Sequence, residues 1–502
     1  MSLVLAIDQG TSSSRAIVFS LGGEIDGEID GQIVGLGQVD FDMSFPADGW
    51  VEQDPETLWD TTCEAVRLAL ADAGTTASAI ASLGITNQRE TTLLWERDTG
   101  DCLYPAIVWQ DGRTAERCKA LEDAGHAEQI GAITGLVIDP YFSATKLTWL
   151  LDNLPGARAR AERGELCFGT VDSFLLYRLT GGAVHLTDAT NASRTQLYDL
   201  ERGDWSEAML DLHQIPRALL PQVRDCVSEF GETLPELFGA PIPIWGVAGD
   251  QQAALIGQNG LASGMTKSTY GTGCFLIANT GEHLLQSKAK LLGTVAYRLN
   301  GQSTYALEGS IFVAGVAIKW LRDQLGLIAH ARDTEASAKA TQGDTGGVYV
   351  VPAFTGLGAP HWQPEARGLI AGLNLDTTRD QIVTATLASV AYQTQALAQA
   401  LAADGCAIQA LRIDGGMVQN DWLCQFLADL LDVSVQRPKV IETTALGAAM
   451  LAGVGAGLYD SLQTAGERCV ASEKQFAPTM LEAERKELLA GWEQAVRRTL
   501  RE

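Results

Sequence analysis

Within eight positions, Asp8-Gln9-Gly10-Thr11-Ser12-Ser13-Ser14-Arg15 gathers a carboxylate, a glycine, a run of hydroxyls and a guanidinium. Glycine admits a ligand close to the backbone, hydroxyls donate to phosphate oxygens, and an arginine fork pairs with an oxyanion. A strand-end carboxylate such as Asp8 can hold Mg2+ through water. An ordinary hairpin turn of Asp, Gly and Ser has the same composition. Two further glycine-rich turns, Tyr270-Gly271-Thr272-Gly273 and Asp414-Gly415-Gly416 running on to Asn420, add phosphate-loop candidates farther along the chain. A nucleotide gripped between two halves of a protein needs such a loop from each side. Arg89 and Glu90 offer a donor and an acceptor for vicinal hydroxyls. A surface ion pair is the plain alternative, and within a strand the two side chains would point to opposite faces. Asp250 follows a strand-like run beside Gly249, a place for a general base and equally for a helix N-cap. Trp109 and Phe275 are candidate apolar walls, or core.

These residues sit between alternating strand-like and helical stretches. Segments 3–7, 16–19, 82–86 and 92–95 are short β-rich runs, whereas 55–73 and 114–122 are helical. The mixture predicts α/β layers with helices covering a sheet. The pattern restarts after a strand at 244–248 with a helix at 251–257, a hairpin at 268–279 and a strand at 411–413. With the Pro-rich 240–243 just before that restart, the chain divides into two domains, 1–248 and 249–502. Thr479-x-x-Glu482 reads as a capping box opening a C-terminal amphipathic helix that carries Leu488, Leu489, Trp492 and Val496.

The chain has 502 residues, enough for two large compact units or three average ones. Lys plus Arg number 36 against 62 for Asp plus Glu, a net charge of −26. Nucleic-acid phosphates and anionic lipid surfaces both call for a basic face, so both are poor partners here. With 46% apolar and 20% charged residues the chain has ample material for a core. Nine scattered cysteines without a Cys-x-x-Cys pair fit reduced thiols in a cytoplasmic protein, and the six histidines form no zinc motif. The uncharged stretch 381–403 carries Gln, Ser and Thr within a helical apolar period, so it reads as a packed helix and no integral membrane segment is expected. P-loop, dinucleotide and protein-kinase signatures are missing, so a nucleotide site here follows another design.

Taken in order, Asp8-Gln-Gly-Thr11, Gly49-Trp-Val-Glu52, Asn87-Gln-Arg-Glu-Thr91, Val108-Trp-Gln-Asp111, Tyr141-Phe-Ser-Ala-Thr-Lys146, Gly249-Asp-Gln-Gln-Ala253, Thr269-Tyr-Gly-Thr-Gly-Cys274, Asp414-Gly-Gly416 and Thr444-Ala-Leu-Gly-Ala-Ala449 span nearly the whole chain. This series resembles the FGGY carbohydrate kinase family, and within it the branch that phosphorylates glycerol. The resemblance implies an α/β fold of two actin-like, ribonuclease H-like domains, with ATP and Mg2+ in the cleft between them. It implies ATP-dependent phosphorylation of glycerol to sn-glycerol 3-phosphate, the first step of glycerol catabolism. Carried over position by position, Thr11, Ser12, Ser13, Arg15 and Thr272 contact ATP phosphates. Gly315 and Lys319 line the nucleotide site, and Gly416 with Asn420 borders adenosine. Arg89, Glu90, Tyr141, Asp250 and Gln251 hold glycerol against Trp109 and Phe275. Asp250 is then the catalytic base, and Asp8, acting through water, joins it beside the metal. A homodimer or homotetramer is implied as well.

The chain also departs from the family pattern. Ser12 replaces a common Thr, Gly112 an expected Arg, Lys319 a frequent Gln, and Ala388 an acidic residue. Between Phe230 and Trp245 there is no Gly-rich, Arg-ending loop of the kind that binds fructose 1,6-bisphosphate, and around 228–231 there is no phosphorylatable histidine. Another polyol or sugar kinase of the same fold is the nearest rival reading. A catalytically silent ATP-binding sensor is a more distant one, because Asp250, Arg89 and Glu90 are all retained.

Overall fold

The computed structural model describes residues 2–23, 30–363 and 365–500. Two mixed sheets built on one plan form its frame. The first runs Val227–Glu232, Pro243–Gly249, Ile80–Asn87, Ser2–Gln9, Ser13–Leu21, Gln32–Asp40. Its three central strands are parallel, and Ser2–Gln9 turns back antiparallel into Ser13–Leu21. The second runs Leu292–Leu299, Gln302–Ile311, Cys274–Gly281, Met265–Tyr270, Ala410–Asp414, Ser434–Pro438, Ser472–Phe476. Here too the first strand along the chain, Met265–Tyr270, is parallel to Ala410–Asp414 and antiparallel to the strand it turns into. Turns 10–12 and 271–273 therefore occupy the same corner of each sheet. The carboxyl ends of parallel strands, where α/β proteins collect their ligands, lead into Arg89, Asp250 and Gly415.

Within Ser2–Gln9, residues 3–7 are an unbroken apolar run because both faces of the strand are covered. Leu5 and Ile7 pack with Leu58, Val66 and Phe174, while Val4 and Ala6 face Ala253, Ile256, Ala445 and Ala449. The helix Pro55–Asp72 forms the first cover; Asp54 caps it by accepting from the Glu56 and Thr57 N–H groups, and Pro55 takes the first turn. The opposite cover is a crossed pair, Asp250–Gly257 and Thr443–Gly455. Side chains are absent where these helices cross. A Cβ on Gly257 would lie 1.9 Å from the Thr443 carbonyl oxygen, and one on Gly447 1.9 Å from that of Ala253. Both helices begin at the cleft, so their crossing sets where Asp250 and Thr443 stand. A segment from the far end of the sequence thus completes the core of the first sheet.

The stretch read as a packed helix is Arg379–Ala403, and its capping box is made by Thr378 and Gln381. Ala388 is buried in the second core, a packing position. The C-terminal helix corrects the sequence reading, because it starts at Glu482 with Leu481 at the N-cap and no side-chain cap. Thr479 is drawn elsewhere: its N–H and hydroxyl, with the Met480 N–H, donate to Asp429 at 2.6, 3.1 and 3.1 Å. A buried carboxylate outcompetes the local cap. Trp492 still anchors the helix, stacked on Tyr392 at 5.1 Å. Among the described residues no helix is long and apolar enough to cross a membrane, and all nine cysteines are free thiols.

Candidate active site

The turn after Ile80–Asn87 brings Arg89 and Glu90 into one cluster. Extended backbone would send them to opposite faces; instead Glu90 adopts a left-handed φ of 60°, a conformation that non-glycine residues hold only under constraint. The pair is no surface turn: Arg89 is 3% exposed and Glu90 1%. Arg89 Nε forms an ion pair with Asp250 Oδ1 at 3.0 Å. Its Nη1 and Nη2 donate to the Glu308 carboxylate at 2.6 and 3.0 Å, and Nη1 also reaches Gln252 Oε1 at 3.2 Å. Glu90 accepts from Arg194 Nε at 2.7 Å. Burial pushes the Glu308 carboxyl up, but Arg194 and Arg89 outweigh that and hold it at about 2.

Asp250 is the first residue of its helix and remains one-third exposed. Its Oδ1 accepts a hydrogen bond from the Gln251 N–H at 2.7 Å. Gln251 is itself fixed by Lys267, whose Nζ donates to its Oε1 at 2.9 Å. Around Asp250 opens a cavity of about 480 Å³ bordered by Asp8, Thr11, Ser12, Ser13, Arg15 and Glu442. Arg15 is already engaged there, donating to Glu442 Oε2 at 2.9 Å and to Gln38 at 3.0 Å. Burial pushes the Asp8 carboxyl up to about 7, with Arg15 opposing and Asp250 and Glu442 adding to the rise.

A carboxyl raised in the folded state favours folding fully only below its unfolded value of 3.8, and that contribution is lost as pH rises through about 7. Asp8→Asn is therefore expected to melt higher than the parent chain at about pH 8, with the gap closing toward about pH 4. Calorimetric melts across that range check it, and a pH-independent gap contradicts it.

Two more cavities adjoin the first. One, of about 380 Å³, is lined by Thr272, Gly315, Lys319, Gly416 and Asn420. Five residues assigned to a nucleotide from sequence thus meet at one place. The other, of about 880 Å³, is lined by Thr11, Trp109, Tyr141, Gln251 and Phe275. Its aromatic walls meet edge to face: Trp109 lies 5.6 Å from Tyr141 and 6.4 Å from Phe275. Trp109 Nε1 donates to Thr11 at 3.0 Å, tying the wall to the hairpin turn. Tyr141 is held from behind by the buried Lys146, whose Nζ donates to the carbonyls of Pro140 and Tyr141 at 2.6 Å each.

Sequence reasoning missed Arg194, Glu308, Lys267 and Glu442. For Glu308 a signal existed, since it is the lone charged residue of the strand Gln302–Ile311. Arg194 lies in a polar turn with no period to mark it.

Residues 3–257 match the model of the FGGY family of carbohydrate kinases, N-terminal domain, and residues 266–456 match the corresponding C-terminal domain. The chain belongs to the FGGY family of carbohydrate kinases. Among its FGGY relatives is a protein named glycerol kinase 1 from Pseudomonas aeruginosa, 58% identical over 99% of this chain and 98% of that protein. A glycerol kinase from Alcanivorax borkumensis is 56% identical over 99% and 98%. The crystal structure of a Plasmodium falciparum glycerol kinase with ADP superposes with a TM-score of 0.94 at 35% identity, covering 100% of this chain and 99% of that one. A gluconate kinase from Lactobacillus acidophilus shares the two-domain FGGY fold, with a TM-score of 0.87 at 20% identity, 99% of this chain and 97% of that one.

Proposed function

We propose that this chain transfers the γ-phosphoryl group of ATP to a terminal hydroxyl of glycerol, giving sn-glycerol 3-phosphate. The observation that carries the reading is full-length identity of 56–58% to FGGY relatives named glycerol kinase, joined to a matching cleft. The nucleotide takes the 380 Å³ cavity, with adenosine beside Gly416 and Asn420. Its phosphates extend toward Thr272 and the hydroxyls of Thr11, Ser12 and Ser13, and Arg15 exchanges Glu442 for a phosphate oxygen. Glycerol takes the inner end of the aromatic slot, its carbons against Trp109, Tyr141 and Phe275 and its hydroxyls on Arg89, Glu90, Asp250 and Gln251.

Asp250 serves as general base. The Gln251 N–H donates to Oδ1 and Arg89 Nε is ion-paired with the same oxygen, which leaves the second oxygen to take the proton from the attacking hydroxyl. The rest of the work is alignment and charge dispersal in a site that excludes water as the domains close. No group of three or more metal-ligating side chains exists among the described residues. A phosphate-borne Mg2+ suits such a site, because it keeps several waters and needs only one or two protein carboxylates. Asp8, through water, and Asp250 would hold it, and when bound it supplies neutralisation of phosphate charge in this acid-rich cavity. A division of the chain near residue 248 is part of the same reading. It is supported by Pro243–Gly249 pairing within the first sheet while Met265–Tyr270 opens the second.

An ADP-release assay with glycerol, dihydroxyacetone, erythritol and xylulose tests the proposal. Glycerol is expected to give the highest kcat/KM; a pentulose ranking above it overturns the assignment.

A further inference from the structure

Two charged side chains beside the base are wholly buried and take no part in the mechanism above: Arg194 and Glu308, both 0% exposed. Glu308 belongs to the strand Gln302–Ile311 of the second sheet. Arg194 and Arg89 come from the other half of the chain, in turns that follow Ala189–Ala192 and Ile80–Asn87. The Glu308 carboxylate is clasped by three donors. Arg89 Nη1 reaches Oε2 at 2.6 Å, Arg89 Nη2 reaches Oε1 at 3.0 Å, and Arg194 Nη2 reaches Oε1 at 3.3 Å.

A two-pronged hydrogen bond fixes the plane of a guanidinium. With both Nη atoms of Arg89 committed to Glu308, the guanidinium is held in place, and its Nε edge forms an ion pair with Asp250 Oδ1 at 3.0 Å. Arg194 does the parallel task for Glu90, donating Nε to Oε1 at 2.7 Å. The rings of Phe142 and Tyr141 lie 5.5 and 5.7 Å from its guanidinium, the second being a wall of the aromatic slot. Neither Arg194 nor Glu308 lines any of the three cavities. The network reaches Asp250, which borders the phosphate cavity, and Tyr141, a wall of the aromatic slot, and none of its members lines the nucleotide cavity.

We propose that Glu308 and Arg194 are positioning residues of the polyol site, Glu308 orienting Arg89 toward Asp250 across the two halves of the chain and Arg194 orienting Glu90. The proposal rests on the glycerol reading of that site. An ion-pair cluster that only stabilised the fold would lower the melting temperature and leave the balance between the two substrates unchanged.

Two full-length variants separate these cases: Glu308→Gln, which keeps the shape and removes the charge, and Arg194→Lys, which keeps the charge and removes the planar fork. Glycerol KM, kcat, ADP dissociation constant and melting temperature are measured for each. Glu308→Gln is expected to raise glycerol KM about 20-fold and lower kcat about 10-fold, with ADP affinity within about two-fold of the parent chain. Arg194→Lys is expected to raise glycerol KM about five-fold, again without loss of ADP affinity, and it carries the test if Glu308→Gln fails to fold. Glycerol KM within about two-fold of the parent in the folded variants, or parallel losses of glycerol and ADP affinity, overturns the proposal. If the parent chain turns over another polyol better than glycerol, the proposed function falls, and the same ratios are then read on that polyol.

Discussion

Asp250→Asn is expected to lower turnover about 1000-fold while ADP binds within about two-fold of the parent, because general-base removal costs the reaction and not the nucleotide site. The substitution is a clean one in this setting. An asparagine keeps the Oδ1 acceptor for the Gln251 N–H. Arg89 retains the Glu308 carboxylate, so no buried cation is stranded. Rapid-quench measurement of the chemical step, with calorimetric titration of ADP, checks both halves. Turnover within about ten-fold of the parent removes Asp250 as the base.

The second large effect lies away from the ligands. Gly447→Ala is expected to destabilise the chain by about 3 kcal/mol, at the upper end for overpacking. The new Cβ would stand 1.9 Å from the Ala253 carbonyl oxygen, 2.7 Å from its carbon and 3.0 Å from the Gly257 nitrogen. All three are backbone atoms of a helix that packs into the first core, so no side chain can swing aside. Relief comes only by spreading Asp250–Gly257 from Thr443–Gly455. That movement carries Asp250 away from Arg89 at one end and Thr443 away from Asp414, now 2.7 Å apart, at the other. A melting temperature several degrees below the parent and a lower kcat are expected together. An unchanged melt shows that the helices tolerate separation.

Some of this molecule was legible before any coordinates. The run at 3–7 was readable as a strand, and the period of 381–403 as a packed helix, because local pattern reports which faces are covered. The three glycine-rich turns were readable as candidate ligand loops, and in the structure residues of each line a cavity. The C-terminal cap was misjudged for a matching reason: Thr479 prefers a carboxylate 50 positions earlier, Asp429, over its own neighbour. Short-range pattern carries no information about such a partner.

The amino-acid sequence by itself determined the family, the alternation of strands and helices, and a set of side chains that line the three cavities, among them Thr11, Trp109, Asp250, Thr272 and Asn420. Those follow from residue type and order. Only the tertiary structure decided that Arg89 and Glu90 are buried rather than exposed, that Glu90 turns left-handed to join Arg89, and that Arg194 and Glu308 complete their cluster. It also decided that a helix from residues 443–455 covers the sheet begun at residue 2. The physical reason is common to all four. A buried charge persists only where opposite charges and donors from distant segments surround it, and a glycine crossing closes only where two backbones meet. Both are properties of packing, and packing brings together residues that the sequence keeps hundreds of positions apart.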